Sequence, residues 1–309
     1  MLRQHQSSPV APTGEILEHQ PEQMSPGAAA HVMAMRVAEG AGVSQSWIAA
    51  LDHLQHSAEL GFRPAQAELA ALADEWNLSQ QIQAGHEPPT AEWTRLRRAV
   101  DVNAWLAAPA KRIVSASPRI ATVEGLAAPQ LCRWLIARAK GKLTRATVFD
   151  PATGAPRNEE VRTNSHCHLL RDESDLLLLF LRARMARIAE LPVASMEATM
   201  ILHYAPGEQF LPHFDFLETN SSGPARDVAE RGQRVVTFLL SLNDDYEGGE
   251  TEFPALEKRW RGRAGNAIFF WNVSPDGMPD RRTAHAGLPP VNGEKWLLSQ
   301  WMRARPDLR

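Results

Sequence analysis

Cysteine, lysine and long apolar runs are all scarce in this chain of 309 residues. Its two cysteines, Cys132 and Cys167, cannot form a disulfide framework, which is typical of a protein from a reducing compartment. The longest apolar run, Leu176–Leu181, is far too short to span a membrane, and residues 1–20 lack the apolar core of a signal peptide. The sequence therefore predicts a cytoplasmic protein without a membrane segment.

The chain also lacks a large excess of charge of either sign. Its 33 Lys and Arg residues against 36 Asp and Glu residues give a formal net charge of −3. This balance argues against a nucleic-acid partner or an anionic membrane surface, so the Arg-rich stretches Arg95–Arg98 and Lys258–Arg263 are interpreted as solvated or packed faces. An apolar fraction of 44% is enough for a sizeable core and excludes a wholly disordered chain.

The N-terminal part of the chain is predicted to be helical after a disordered lead-in over residues 1–25, which are rich in Pro, Gln, Ser and Gly. Apolar residues with helical spacing occur around Ala30–Ala38 and Trp47–Glu59, and a third helix is predicted near Pro64. Glycine-containing turns separate these segments.

The stretch from Ala34 to Leu72 resembles the short, TPR-like helical repeat of the SEL type. This resemblance implies a helical repeat region, which we place at residues 26–85. Residues 86–121 are predicted to form a helical connector, with helix signals around Pro89–Ala107 and a short extended run at Arg112–Ser115. One such helical hairpin cannot bury its own apolar face and must pack against something else. The N-terminal helices are therefore expected either to bind a protein partner or to cap the next domain.

Residues 122–309 change from helical to strand-like periodicity. Helices are predicted at Ala128–Gly141 and Asp172–Leu191, and four short runs rich in β-branched and aromatic residues follow, namely EATMILHYAP, RVVTFLLSLN, NAIFFWNV and EKWLLSQWMR. Helices followed by many strands favour an α+β fold with a β-barrel or jelly-roll core and an N-terminal helical extension.

Two histidines and one carboxylate in this region form a candidate metal site. His213 and Asp215 stand two residues apart, so on an extended strand their side chains point to the same face. His285 lies 72 residues further along the chain. Two imidazoles and one carboxylate that leave several coordination positions open are typical of non-haem Fe(II), whereas zinc more often takes a cysteine or a third histidine.

Lys295 is the candidate anion-binding residue. In the strand-like run that contains it, alternation places Lys295 on the same face as Leu297, Ser299 and Trp301. An ammonium group on an otherwise apolar inward face is unfavourable unless an anion pairs with it. A ligand carboxylate would satisfy this lysine, and the alternative is a lysine on an edge strand that faces solvent.

Several ordered motifs between Thr122 and Arg303 resemble the prolyl 4-hydroxylase family of Fe(II)/2-oxoglutarate dioxygenases. They are RTN at Arg162–Asn164, YAPGEQFLPHFD at Tyr204–Asp215, RVVTFLLSLND at Arg234–Asp244, YEGGETEFP at Tyr246–Pro254, GNAIFFWNVSPDGMPDRRTAHAG at Gly265–Gly287 and GEKWLLSQWM at Gly293–Met302. The resemblance implies a double-stranded β-helix (a jelly-roll, cupin-like fold) with flanking helices. It also implies hydroxylation of a prolyl residue in a protein or peptide, with release of succinate and CO2.

The resemblance also implies roles for individual residues. Fe(II) would be held by His213, Asp215 and His285, and Lys295 would pair with the distal carboxylate of 2-oxoglutarate. O2 would be the second cosubstrate, and ascorbate binding is a further expectation. Three helpers are expected around the cosubstrate: Tyr204 and Thr237 as hydrogen-bonding residues and Trp301 as a wall. Ordinary aromatic core packing is the alternative for Tyr204 and Trp301.

Two other functions stay open on the sequence alone. The same chemistry could act on another amino-acid side chain or a small metabolite. Alternatively, the chain could be a helical-repeat interaction module that carries a non-catalytic oxygenase fold. A scaffold, however, has no need for the complete set of metal and cosubstrate residues.

Two further segments near the predicted barrel mouth were weighed. His166 and His168 share one strand face while Cys167 points the other way, so we interpret them as a polar strand that faces the substrate and not as a metal site. The segment Glu218–Gln233 is rich in polar residues and is predicted to be a mobile loop over the site.

Overall fold

The computed structural model describes residues 24–149, 156–157, 160–170 and 173–306. The lead-in predicted for residues 1–25 therefore lies, up to residue 23, outside the described residues. In the described part, nine α-helices form: α1 (Pro26–Glu39), α2 (Trp47–Glu59), α3 (Arg63–Leu72), α4 (Trp76–Gln83), α5 (Ala91–Ala99), α6 (Val102–Leu106), α7 (Pro129–Ala139), α8 (Leu176–Ala189) and α9 (Ser222–Arg231). None of these helices is both long and apolar enough to cross a membrane.

The N-terminal helices begin and end where local chemistry dictates. Ser25 accepts a hydrogen bond from the backbone of Ala28 and is followed by a proline, which is a favoured start for α1. Gly40 ends this helix in a left-handed conformation at φ 74°. Ser46 caps α2 in the same way as Ser25 caps α1. The three helices predicted from apolar spacing are thus present, and α4 adds a second antiparallel hairpin with α3.

These helices pack against the rest of the molecule through α8. Trp47 of α2 stacks on Phe180 of α8 with ring centroids 4.1 Å apart, and Trp105 of α6 contacts the same ring at 5.7 Å. Glu68 of α3 is buried and accepts a hydrogen bond of 2.6 Å from the backbone nitrogen of Leu176, the first residue of α8. The helical extension therefore covers the helix that supports the main sheet.

The described strands form a large sheet, a smaller facing sheet and two short ribbons. The strands are β1 (Lys111–Ala116), β2 (Arg119–Val123), β3 (Thr144–Arg145), β4 (Val148–Phe149), β5 (Pro156–Arg157), β6 (Ser165–Leu169), β7 (Thr199–Tyr204), β8 (Phe210–His213), β9 (Arg234–Ser241), β10 (Glu247–Gly248), β11 (Thr251–Phe253), β12 (Lys258–Trp260), β13 (Ala267–Trp271), β14 (His285–Gly287), β15 (Pro290–Asn292) and β16 (Lys295–Arg303). The major sheet has the order β1-β2-β13-β9-β16-β7-β6-β3, and the minor sheet has the order β12-β11-β14-β8.

Alternation along the strands divides the major sheet into two faces. Phe238 and Leu240 of β9 belong to the core that includes the leucines of α8, whereas Leu239 packs in a second cluster with Phe253 of the minor sheet. Because successive side chains point to opposite faces, one side of this sheet supports the helices and the other lines the space between the sheets. This two-sheet arrangement agrees with the predicted α+β jelly-roll architecture.

One segment agrees with its prediction and one differs from it. In the connector of residues 86–121, the extended run predicted at Arg112–Ser115 forms β1, which pairs with β2 at the edge of the major sheet. The segment Glu218–Gln233, predicted to be a loop, contains helix α9. This helix is held from outside itself, because Arg303 of β16 binds Asp227 at 2.7 Å and also donates to the carbonyl of Gly232. Polar composition alone gave no sign of these anchors.

Candidate active site

Strands β8 and β14 of the minor sheet bring the two predicted histidines together. His213 and His285 are directly paired residues in this antiparallel ladder, which places their Cβ atoms about 5 Å apart. Asp215 lies in a bend just beyond the end of β8. Its carboxylate oxygens are 3.8 Å from His213 Nε2 and 3.5 Å from His285 Nε2. One ligand atom from each of the three residues lies within 4.8 Å of the others.

Backbone contacts fix the orientation of both imidazoles. His213 Nδ1 lies 2.9 Å from the carbonyl oxygen of Leu211, and His285 Nδ1 lies 3.2 Å from that of Thr283. With Nδ1–H donating to these carbonyls, each ring presents its Nε2 lone pair to the space beside Asp215. Histidine ligands are commonly held in this way by a second hydrogen bond, which selects the tautomer that can bind a metal.

The protonation states of this group also suit a metal ion. Burial, reinforced by the neighbouring His285, lowers the pKa of His213 to about 3. Burial by itself would raise the pKa of Asp215, but the two histidines and a hydrogen bond from Thr237 outweigh it and leave this pKa lowered. A neutral imidazole and an ionised carboxylate are the forms that coordinate divalent metals.

Thr237 lies behind Asp215, and the cosubstrate contact expected of it stays a prediction. Its hydroxyl donates to Asp215 Oδ2 at 2.8 Å and accepts a hydrogen bond of 2.9 Å from Asn272 Nδ2. Thr237 and Asn272 are both fully buried. Alternation along β9 places Thr237 on the inward face of the strand, but alternation does not tell which of the inward groups a hydroxyl will contact.

Lys295 lies at the inner end of the same pocket. Its side chain is 1% exposed, and its Nζ has no hydrogen-bond partner among the described residues. The ammonium lies 5.0 Å from the centre of the Tyr204 ring, and burial lowers the pKa of Lys295 to about 7, against a smaller opposing effect of Glu250. A buried, unpaired ammonium beside a metal-ligand set fits a ligand that carries a carboxylate.

The other residues predicted around the cosubstrate also line this pocket. Tyr204 is the cross-strand neighbour of Lys295, and burial raises the pKa of its hydroxyl to about 12, so the hydroxyl stays a hydrogen-bond donor. Trp301 lines the pocket further out, with its indole face under the guanidinium of Arg234 at 3.5 Å. Both residues therefore line the same pocket as the candidate metal ligands and Lys295, and their roles toward a cosubstrate stay predictions.

Thr251 and Arg162 are pocket residues that were not predicted from the sequence as site residues. Thr251 of the minor sheet is buried in the lining together with Lys295. Arg162 also lines the pocket, and its guanidinium lies 4.5 Å from the ring of Phe210, which in turn stacks on His213 at 3.5 Å. Thr251 belongs to the motif GGET and Arg162 to the motif RTN, and these motifs are the sequence signals from which the two residues could have been predicted.

Chemically, this arrangement combines three ligands on one side of a metal position with one buried cation in a largely apolar pocket. The set of two histidines and one carboxylate leaves coordination positions for substrates and suits Fe(II). Among the residues that the structure describes, His213, Asp215 and His285 are the group of three or more potential ligands close enough to share an ion. The residues present therefore fit an iron ion accompanied by a dicarboxylic cosubstrate.

Comparison with known proteins agrees with this chemistry. Residues 199–303 match the family model of the 2OG-Fe(II) oxygenase superfamily. Prolyl 4-hydroxylase 1 of Arabidopsis thaliana is 33% identical over 207 residues, which cover 62% of this chain and 71% of that protein. Prolyl 4-hydroxylase subunit alpha-1 of Gallus gallus is 32% identical over 167 residues, which cover 54% of this chain and 32% of that protein.

Among solved structures, a viral collagen prolyl hydroxylase from Paramecium Bursaria Chlorella virus-1 in complex with 2OG aligns with 60% of this chain and 96% of its own, at 24% identity and a TM-score of 0.46. The family itself is established by the sequence relatives and not by this likeness. The chain belongs to the prolyl 4-hydroxylase family of 2OG-Fe(II) oxygenases and is a 2-oxoglutarate-dependent dioxygenase that uses Fe(II) and O2.

Proposed function

We propose that this dioxygenase hydroxylates a prolyl residue in a protein or peptide and converts 2-oxoglutarate to succinate and CO2. The observation that carries the proposal is the shared pocket of His213, Asp215, His285 and the unpaired, buried Lys295. The choice of proline is supported by the relatives, which are named prolyl 4-hydroxylases.

In this proposal, each residue of the pocket has a defined task. His213, Asp215 and His285 would hold Fe(II), which when bound supplies the redox chemistry that couples decarboxylation of 2-oxoglutarate to substrate oxidation. Lys295 would neutralise the distal carboxylate of the cosubstrate. Tyr204 would donate a hydrogen bond to the same carboxylate.

The remaining neighbours would position these groups and exclude water. Thr237, itself held by Asn272, fixes the carboxylate of Asp215 through a buried hydrogen bond. Thr251 offers a hydroxyl from the opposite sheet close to Lys295. Leu239 and Leu297 provide apolar lining, and a low-polarity lining strengthens the pairing between the lysine and its carboxylate.

We also propose that α1–α4 form a SEL-type repeat pair whose task in this chain is to cap the catalytic domain. The two antiparallel hairpins and the packing of Trp47 and Glu68 against α8 support this assignment. A cytoplasmic location and ascorbate binding stay predictions from the sequence and the family.

The proposal is tested in two steps. Anaerobic addition of Fe(II) and then 2-oxoglutarate to the purified protein should give a visible metal-to-ligand charge-transfer band, which His213→Ala should abolish. His56→Ala is the matched control, because this histidine lies on α2 with a side chain that is 61% exposed. Absence of the band in the folded wild type would contradict the assigned cosubstrate site.

In the second step, the aerobic enzyme is incubated with proline-containing peptides, and succinate and the mass of each peptide are measured. One added oxygen atom located on proline by fragmentation is the expected result. Oxygen located on another side chain would replace the prolyl assignment by the alternative substrate class. A band without succinate or modified peptide under any peptide condition would favour the non-catalytic module.

A further inference from the structure

The strand β6 presents two histidines beside the active-site pocket that have no part in the metal site. His166 and His168 project from the same face of this strand, and their rings meet edge to face with centroids 5.0 Å apart. Cys167 between them points into the helix-side core. His168 is exposed and His166 is half-buried, so the pair stands at the boundary between the pocket and solvent.

Strand pairing shows how close this pair is to the pocket. His166 lies directly opposite Leu202 of β7, and Leu202 lines the pocket. Neighbouring strands are about 4.8 Å apart, so His166 is one strand away from the lining. His168 lies opposite Met200, whose side chain packs with Leu202 and Tyr204.

Arg162 connects the histidine pair to the metal site. Its backbone forms an isolated antiparallel β-bridge with Phe210 of β8. Its guanidinium lies over the Phe210 ring, and this ring stacks on His213. Burial, and after it the charge of Arg162, lowers the pKa of both histidines, that of His166 to about 4. The three side chains therefore form one electrostatically coupled row along the pocket rim.

The side chains of this row have more hydrogen-bond donors and positive charge than their neighbours have acceptors and negative charge to match. Among the described residues, Arg162 donates to the neutral oxygens of Asn164 and the Thr147 carbonyl, at 3.2 and 3.5 Å. A buried Nδ1 of His166 has no partner in the described part of the chain. Glu197 is the acid that acts on His168, and its carboxylate is already bound by Arg234 at 2.8 Å.

We propose that Arg162, His166 and His168 form a subsite for a carboxylate group of the peptide substrate. The inference rests on the proposed function and adds a substrate preference to it. The fixed guanidinium charge disfavours a metal cation between the two imidazoles, whereas a carboxylate can accept hydrogen bonds from all three side chains. The carboxylate comes from an Asp or Glu side chain, or from a peptide C-terminus, near the hydroxylated residue.

Spacing limits how far this carboxylate lies from the reacting residue. An extended peptide advances about 3.3 Å per residue. Because the row begins at Arg162 in the pocket lining and His166 is one strand away, an acid within about two residues of the target proline can reach it. The two positions on each side of proline are therefore the ones to vary.

The test uses the full chain and peptides that are identical except for Asp, Asn or Lys at one flanking position. Both peptide ends are blocked, and a further Asn peptide has a free C-terminus to separate the two sources of carboxylate. Binding is measured by fluorescence anisotropy, and turnover by the kcat/KM for hydroxylation. Wild type should favour Asp over Asn by about tenfold in both readouts, since hydrogen bonds to a charged group have this strength.

The decisive variant is the double change His166→Phe and His168→Phe, which keeps ring volume and removes the N–H donors. It should reduce the Asp-to-Asn ratio to within about twofold, chiefly by weakening binding of the Asp peptide. His56→Ala should keep the full ratio. The single changes show which ring contributes more, and loss of the Asp preference in either single variant supports the subsite.

Failure of the subsite and failure of the proposed function give different results. Hydroxylation of proline in Asp, Asn and Lys peptides at equal rates overturns the subsite and leaves the prolyl assignment intact. An Asp preference in binding that the double variant removes, without any hydroxylated proline, supports the subsite and overturns the prolyl assignment. An Asp preference that survives the double variant also overturns the subsite.

Discussion

Replacing Lys295 by methionine tests the cosubstrate site without any need to know the substrate. Methionine keeps most of the length of the side chain and removes its charge. In the wild type the ammonium is buried and has no partner among the described residues, and the pKa of Lys295 is lowered from 10.5 to about 7. A lowering of this size corresponds to about 5 kcal/mol of unfavourable free energy when the lysine must be charged in the fold.

The sign of the pH dependence follows from proton binding. Between about pH 7 and pH 10 the unfolded chain keeps the proton on Lys295 whereas the folded chain releases it, so the unfolded state binds more protons. The stability of the cosubstrate-free wild type should therefore rise with pH across this window. Lys295→Met should lack this rise and should be more stable than wild type at pH 7, by up to about 5 kcal/mol.

The assay is urea unfolding at pH 7 and pH 9.5, with and without 2-oxoglutarate under anaerobic Fe(II). At a hundredfold excess of cosubstrate over its Kd, wild type should gain about 2.7 kcal/mol, and the variant should gain almost nothing. Lys258→Met, at an exposed position of β12, is the control and should behave like wild type. A variant that is less stable at pH 7, or that is still stabilised by 2-oxoglutarate, would refute the role assigned to Lys295.

Three further predictions concern the supports of the site. Thr237→Val removes the hydroxyl that holds Asp215 and should weaken Fe(II) binding tenfold to a hundredfold in an anaerobic titration; an unchanged affinity contradicts the positioning role. Glu68→Ala leaves the backbone nitrogen of Leu176 unsatisfied and should lower the free energy of unfolding by about 3 kcal/mol in urea, whereas a loss below about 1 kcal/mol argues against a tight cap. Gly249→Ala places a Cβ at φ 66° and 3.4 Å from Lys295 Cδ, and should raise the KM for 2-oxoglutarate. An unchanged KM would show that the backbone of this turn adjusts to the added Cβ.

The metal set was predictable because its pattern depends on short-range geometry and on residue chemistry. The spacing of His213 and Asp215 restricts their directions, and the rarity of lysine drew attention to Lys295. The structure adds the pairing of His213 with His285 across β8 and β14. That contact joins residues 72 apart, and the strand pattern gives no register between two distant strands.

Polar segments were less predictable than apolar ones. Helix α9 was predicted as a loop because its composition is polar, yet its conformation depends on Arg303 and on other contacts from outside the helix. The N-terminal helices were predicted correctly because their alanine and leucine spacing is a local signal. Their packing against the rest of the molecule was not predictable, because it depends on the contacts of Trp47 and Glu68 with α8, which are tertiary contacts.

The two threonines show where inference from sequence reaches its limit in this site. Thr237 and Thr251 are both buried hydroxyl residues on strands, and alternation assigns an inward direction to Thr237. The inward face of one sheet, however, borders both the candidate metal ligands and the pocket around Lys295. Thr237 reaches Asp215, and Thr251, on the opposite sheet, lines the pocket with Lys295. Because the second sheet decides which hydroxyl meets which partner, only the packed structure separates a residue that holds Asp215 from one that lines the pocket with Lys295.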